Sequence, residues 1–314
     1  MPTRKRTLKP NAQQTEDDLA RKYFHHELAV SRVSALSKVL IGLIIVVATF
    51  FFTKFYIYAK VEVITMVSAS NNYSRFYYEV PCSKDYQEER KLFKDCVPKR
   101  CGRVVMDSVV TKQEARKLLR IVRNAMVLGG SNGGASILDL HTGAISKGNA
   151  FINIFKALES HPEPDQILTA EDFMIYKKVK DKIHSAVAAE FEVPKDKLYL
   201  TKPTFFSRLT TKPAKTIHDE YWHPHIDKET YGSFHYTSLL YLTEYMEDFR
   251  GGRFFFIDKD TNRTVEPVTG RLSFFTSGSE NLHFVERLKE GARYAITVSF
   301  TCDPEKAIGD PRLK

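Results

Sequence analysis

Cysteine and tryptophan are scarce in this 314-residue chain, four residues and one, and the cysteines lack the paired Cys-x-x-Cys spacing of thiolate zinc sites. No long-period repeat is present, which sets aside solenoids and propellers. No dense basic face shows in the bulk of the chain. Residues 60–314 hold 38 Lys and Arg against 34 acids, too even a balance for a nucleic-acid-binding domain. Hydrophobic residues make up 43% and charged residues 27%, which excludes a globally disordered chain.

One long apolar run is there. Val39 to Ala59 spans 21 residues broken only by Lys54, enough to cross a hydrocarbon core of about 30 Å. Lys54 lies near its end and can snorkel, and the aromatics at 55–58 suit an interfacial belt. A cleaved signal peptide places its apolar region nearer the N-terminus and follows it with small residues. Here 38 mostly polar residues come first, and no Ala-x-Ala pattern follows. Residues 1–59 carry nine Lys and Arg against four acids, and eight of those bases precede the run. By the positive-inside rule the N-terminus stays cytosolic, and residues 60–314 enter the lumen as in a single-pass type II membrane protein. Arg4-Lys5-Arg6 then sets orientation, rather than serving as a nuclear signal or a phosphate-binding arm.

Two features agree with a lumenal domain. Cys82, Cys96, Cys101 and Cys302 all lie beyond the run, an even number that suits disulfides and allows three connectivities. Two Asn-x-Ser/Thr sequons, at Asn72 and Asn262, fall on the same side. The C-terminal Pro311-Arg312-Leu313-Lys314 is no retrieval signal, so the residues do not choose between ER and Golgi.

The expected organisation is a cytosolic tail (1–38), a transmembrane helix (39–59), a cysteine-containing lumenal stalk (60–103), a helical support region (104–197) and a β-rich core (198–314). Two Thr-x-x-acid capping boxes, Thr111 with Glu114 and Thr169 with Asp172, open helices with one apolar stripe each. After Pro194, short β-rich runs at 198–209, 236–242, 253–257, 271–276 and 294–301 are punctuated by Gly251-Gly252, Gly270 and Gly291. Helices followed by many short strands predict an α+β domain around a sandwich, barrel or jelly roll.

Four of the ten histidines fall within eighteen residues: His218, His223, His225 and His235. In an extended chain, His225 and Asp227 point to one face and can converge on a metal. His283 is the only histidine after His235. Two His and one carboxylate with open positions is the ligand set of non-haem iron(II) oxygenases. His223-x-His225 is a rival pair on the same face but lacks the carboxylate. Arg293, ten residues past His283, can clamp a dicarboxylate with its planar fork if it lies on the last core strand.

From about Leu198 to Thr301 the chain resembles the prolyl 4-hydroxylase-like group of 2-oxoglutarate/iron(II) dioxygenases. The matching pieces are His225-Ile226-Asp227, Leu240-Tyr241-Leu242, Gly251-Gly252-Arg253-Phe254, Phe274-Phe275, His283 and Arg293-Tyr294-Ala295-Ile296-Thr297. The resemblance implies a double-stranded β-helix (jelly-roll) core. It implies Fe(2+) on His225, Asp227 and His283, and 2-oxoglutarate gripped at its far carboxylate by Arg293 and Tyr241. It also implies L-ascorbate to keep the iron reduced, and hydroxylation of a C–H bond, with a lumenal protein as substrate, coupled to release of succinate and CO2. One departure stands out: related hydroxylases often carry Tyr three residues before the first His ligand, where this chain has Trp222 with Tyr221 one step earlier. The competing classes are a catalytically silent jelly-roll module that binds a lumenal partner, and a sugar- or zinc-binding jelly roll. The sequence sets neither the substrate nor an oligomeric state.

Overall fold

The computed structural model describes residue 21, residues 35–52 and residues 61–311, apart from the His218 side chain. Apart from residue 21, the tail before residue 35 lies outside the described residues, as do Lys54 with the aromatics at 55–58 and Arg312 to Lys314. Helix α1 (Ala35–Phe52) is apolar from Val39 onward apart from Thr49, and its side chains are exposed. At about 1.5 Å per residue, its eighteen residues are long enough to reach most of the way across a bilayer core.

A second unit, beginning at Glu62, holds the remaining elements. It opens with β1 (Glu62–Val67), β2 (Phe76–Val80), the one-turn helix α2 (Glu89–Leu92) and β3 (Cys101–Met106). Then come α3 (Lys112–Ala125), β4 (Gly130–Ser131), β5 (Ala135–Leu138), β6 (Ala144–Gly148), β7 (Ala150–Asn153), α4 (Ile154–Glu159) and α5 (Ala170–Glu190). The last part comprises β8 (Tyr199–Thr210), α6 (Asp227–Tyr231), β9 (Tyr236–Tyr241), β10 (Phe249–Gly251), β11 (Phe254–Ile257), β12 (Thr261–Val265), β13 (Leu272–Thr276), β14 (His283–Val285) and β15 (Leu288–Thr301).

Two sheets form. The larger runs β2-β3-β13-β9-β15-β8-β5-β6-β4, and the smaller runs β1-β12-β11-β14. A bridge between His225 and His283 adds the segment before α6 to the small sheet beside β14. From β8 onward the chain therefore switches between sheets: β8 large, residue 225 small, β9 large, β11 and β12 small, β13 large, β14 small, β15 large. That winding, antiparallel within each four-strand set, is a double-stranded β-helix.

Strand alternation divides the core. Leu240, Phe274, Ile296, Val298 and Phe300 face one way and join the apolar stripes of α3 and α5. Leu239, Tyr241, Phe275 and Ala295 face the other way and meet Phe254, Phe256 and Val265 of the small sheet. Burying each of these phenylalanines is worth about 1.5–3 kcal/mol. Both capping boxes are formed as the sequence indicates, Thr111 with Glu114 and Thr169 with Asp172.

Two expectations are corrected. Residues 60–103 are not a stalk: β1 pairs in parallel with β12, and β2 and β3 extend the large sheet. The apolar run Val63, Ile64, Met66 and Val67 finds its pairing partner only in β12, some 200 residues away, which no local signal indicates. Residues 104–197 are not purely helical, because β4–β7 occupy 130–153 and β5 pairs with β8. Of the three possible cysteine connectivities, the structure has Cys82–Cys101 and Cys96–Cys302.

Candidate active site

The three residues that the sequence points to do converge. His225 lies in the bridge to His283, Asp227 is the first residue of α6, and His283 opens β14. The extended stretch stops at Ile226 rather than continuing through Asp227. The turn into α6 brings the carboxylate round. Asp227 Oδ1 is 3.7 Å from His225 Nε2 and 3.8 Å from His283 Nε2. One ligand atom from each residue lies within 4.8 Å of the other two, the spacing of a set that can share one metal ion.

Each imidazole is oriented through its other nitrogen. Nδ1 of His283 is 2.8 Å from the carbonyl oxygen of Asn281, and Nδ1 of His225 is 3.0 Å from that of His223. With Nδ1–H donating to those carbonyls, Nε2 of each ring presents a lone pair to the centre. Burial pushes His283 down to about 4, partly opposed by the Asp227 carboxylate, so the ring is neutral as a ligand must be. Phe254 stacks on it and Phe275 meets it edge-on, both with ring centroids at 5.0 Å. The rival ligand His223 is turned elsewhere, with Nε2 at 2.5 Å from Glu220 on an exposed loop.

Thr237 went unnoticed in the sequence. Its hydroxyl donates to Asp227 Oδ2 and contacts Ser277 Oγ at 2.9 Å, deep in the core. Counting back in twos from Tyr241 along β9 would have put it on the same face.

Arg293 is on β15, as expected, and is 1% exposed. Nε and Nη2 of its guanidinium have no hydrogen-bond partner among the described residues, nor does the hydroxyl of Tyr241. The guanidinium carbon lies 5.3 Å from the Tyr241 ring centroid. Burial pushes Arg293 down and Tyr241 up, the latter to about 12. A buried cation facing unfilled donors is costly unless an anion joins it. A dicarboxylate end fits this cradle in charge and in donor count. Gly252 makes room for it. Its φ is +66°, and a Cβ there would come within 3.2 Å of Arg293 Cδ and 2.9 Å of Leu288 Cδ1.

At the position of the noted departure, Trp222 is covered by Arg287, whose guanidinium carbon is 3.5 Å from a ring centroid. Tyr221 packs with Leu209, Phe249 and Leu288, and its hydroxyl accepts the Leu288 N–H. Both rings border a cavity of about 380 Å³ with Lys212, Pro213 and Glu220. Of the sequons, Asn72 is exposed, whereas Asn262 lies on β12 with its Oδ1 buried.

Residues 213–301 match the 2OG-Fe(II) oxygenase superfamily. The 2-oxoglutarate and iron-dependent oxygenase domain-containing protein 3 of Xenopus tropicalis is 59% identical over 235 residues, covering 75% of this chain and 73% of that one. The chain belongs to the 2OG-Fe(II) oxygenases. The human protein of the same name is 52% identical over 235 residues, with the same two shares. Human prolyl 3-hydroxylase 1 is 28% identical over 228 residues, covering 66% of this chain but 29% of that longer one. This oxygenase is a dioxygenase, and its family uses Fe(2+) and 2-oxoglutarate. Its matched segment contains His225, Asp227, His283, Tyr241 and Arg293.

Proposed function

We propose that the chain is a membrane-anchored lumenal hydroxylase of protein side chains, with iron on His225, Asp227 and His283. Arg293 and Tyr241 grip the far carboxylate of 2-oxoglutarate, and ascorbate keeps the metal ferrous. The observation that carries this reading is the buried Arg293 guanidinium, with two unpartnered nitrogens, on the sheet face that also bears Thr237 and hence Asp227. When bound, iron, 2-oxoglutarate and dioxygen supply the oxidation: the keto acid loses CO2 to become succinate while one oxygen atom enters a C–H bond.

The chain's own groups do the rest. His283 and His225 would offer their Nε2 lone pairs to the iron, and Thr237 holds one Asp227 carboxylate oxygen so that the other faces the two imidazoles. Phe254, Phe256 and Phe275 keep water from the inner side of the site. Lumenal placement is supported by α1, the basic flank before it, the two disulfides and the exposed Asn72 sequon. A protein substrate is supported by the likeness to prolyl 3-hydroxylase 1.

Two measurements test the reading. The full-length protein supplied with Fe(2+), 2-oxoglutarate and ascorbate is expected to release succinate, and Asp227→Ala is expected to release none. Mass spectrometry of secretory-pathway proteins from cells carrying wild-type or Asp227→Ala protein should show peptides lighter by one oxygen atom in the variant. An unchanged set of peptides contradicts a protein substrate.

A further inference from the structure

Outside the site, the segment between Cys82 and Cys101 makes contacts that the oxygenase chemistry does not call on. The Cys82–Cys101 disulfide closes it into a loop, and Cys96–Cys302 ties it to the chain just beyond β15. From this loop Glu89 reaches Lys228, the residue after Asp227, at 2.5 Å, and lies 3.1 Å from Nε2 of His235. His235 is fully buried, and its Nδ1 accepts the backbone N–H of Cys302. Burial pushes the Glu89 carboxyl up, but its contacts with His235 and Lys228 outweigh this and hold it at about 2. An acid at this place has both of its cationic or donor partners on the metal-site side.

The same loop also supports the turn before His283. The Tyr86 hydroxyl accepts the Gly278 N–H, and the Asp85 carboxylate accepts the Ser279 N–H at 2.6 Å. That turn ends in Asn281, whose carbonyl orients the His283 ring. Each metal-ligand segment thus rests on one loop that two disulfides hold in place.

We propose that the Cys82–Cys101 loop is a buttress that sets the spacing of the two ligand segments, with Glu89 as its positioning residue, so that metal affinity depends on it. The inference rests on the reading of His225, Asp227 and His283 as iron ligands. Lys228 and His235 lose their common anchor when Glu89 is removed, and α6 is then free to carry Asp227 away from the imidazoles. Groups that orient metal ligands from outside the ligand set typically govern affinity by about 10–100-fold.

The test uses the full-length protein in detergent with Mn(2+), an oxygen-stable stand-in for Fe(2+), titrated by calorimetry. Four proteins are compared: wild type, Asp227→Ala, Glu89→Ala and Asp172→Ala. Asp172 caps α5 far along the chain, so its loss weakens the fold without touching the loop. Glu89→Ala is expected to weaken Mn(2+) binding by roughly 10–100-fold. It should also speed amide hydrogen exchange at 227–232 and 278–283, while Asp172→Ala binds as the wild type does. Wild-type affinity in Glu89→Ala, or an equal loss in Asp172→Ala, overturns the buttress. If instead Asp227→Ala binds Mn(2+) as tightly as the wild type, the ligand assignment itself fails and the inference falls with it. Glu89→Gln keeps the side chain's size and one acceptor oxygen, and it carries the same comparison at smaller amplitude if the alanine variant is not recovered folded.

Discussion

Thr237 donates a 2.6 Å hydrogen bond to Oδ2 of Asp227, which leaves Oδ1 facing two imidazole nitrogens at 3.7 and 3.8 Å. One hydroxyl therefore decides which carboxylate oxygen is offered to the metal. Thr237→Val keeps the shape and deletes the donor. The variant is expected to fold and to bind Mn(2+) about 10–100-fold more weakly. Calorimetry on the full-length protein reads the loss, and wild-type affinity would show that the hydroxyl is dispensable.

Arg293 gives a prediction of opposite signs. Among the described residues two nitrogens of its buried guanidinium have no hydrogen-bond partner, so Arg293→Met should leave the thermal stability of the protein without 2-oxoglutarate unchanged or raise it. The same change removes the charge-assisted bonds that an anion would make, worth about 1.5–3 kcal/mol each. Binding of 2-oxoglutarate to the Mn(2+)-loaded variant should fall by two orders of magnitude or more. Thermal melts with and without 2-oxoglutarate check both halves. A destabilised variant that still binds would contradict the assignment.

His283 ties stability to pH. Its ordinary value is 6.5, and burial holds it at about 4 in the folded chain. The unfolded chain takes up this proton first as pH falls. Stability of the metal-free protein is therefore whole above about pH 6.5 and is lost progressively toward about pH 4, by roughly 2–4 kcal/mol for one such group. Urea unfolding at about pH 7 and about pH 4.5 should show the drop, and His283→Gln should make it smaller.

The sequons separate by environment. Asn72 is exposed ahead of β2, while Asn262 is in β12 between β1 and β11. In cells, Asn72→Gln should abolish the glycosidase-sensitive mass shift, and Asn262→Gln should leave it intact. A protein with no such shift in either form would argue against a lumenal domain.

Much of this was legible in the letters. The capping boxes at Thr111 and Thr169 are local signals, and both helices start where those signals put them. His225, Asp227 and His283 were readable because the resemblance fixes their order, and Arg293 because it stands ten residues past His283 within the same matching pattern. What stayed hidden depends on long-range pairing. The role of β1 is set by β12, and the worth of Glu89 by Lys228 and His235, well over a hundred residues away. The cysteine pairing was open among three connectivities for the same reason: only the fold brings Cys96 to Cys302. Asp227 departed from the extended pattern because Ile226 is the last extended residue before α6, a helix too short to show a period.

The most direct test of the central claim is an oxygen-free calorimetric titration of the full-length protein, first with Mn(2+) and then with 2-oxoglutarate. The account predicts one metal ion per chain and 2-oxoglutarate binding only after the metal. It further predicts no metal binding in Asp227→Ala, and metal binding without 2-oxoglutarate binding in Arg293→Met. Metal uptake by Asp227→Ala equal to that of the wild type, or tight 2-oxoglutarate binding by Arg293→Met, would contradict it.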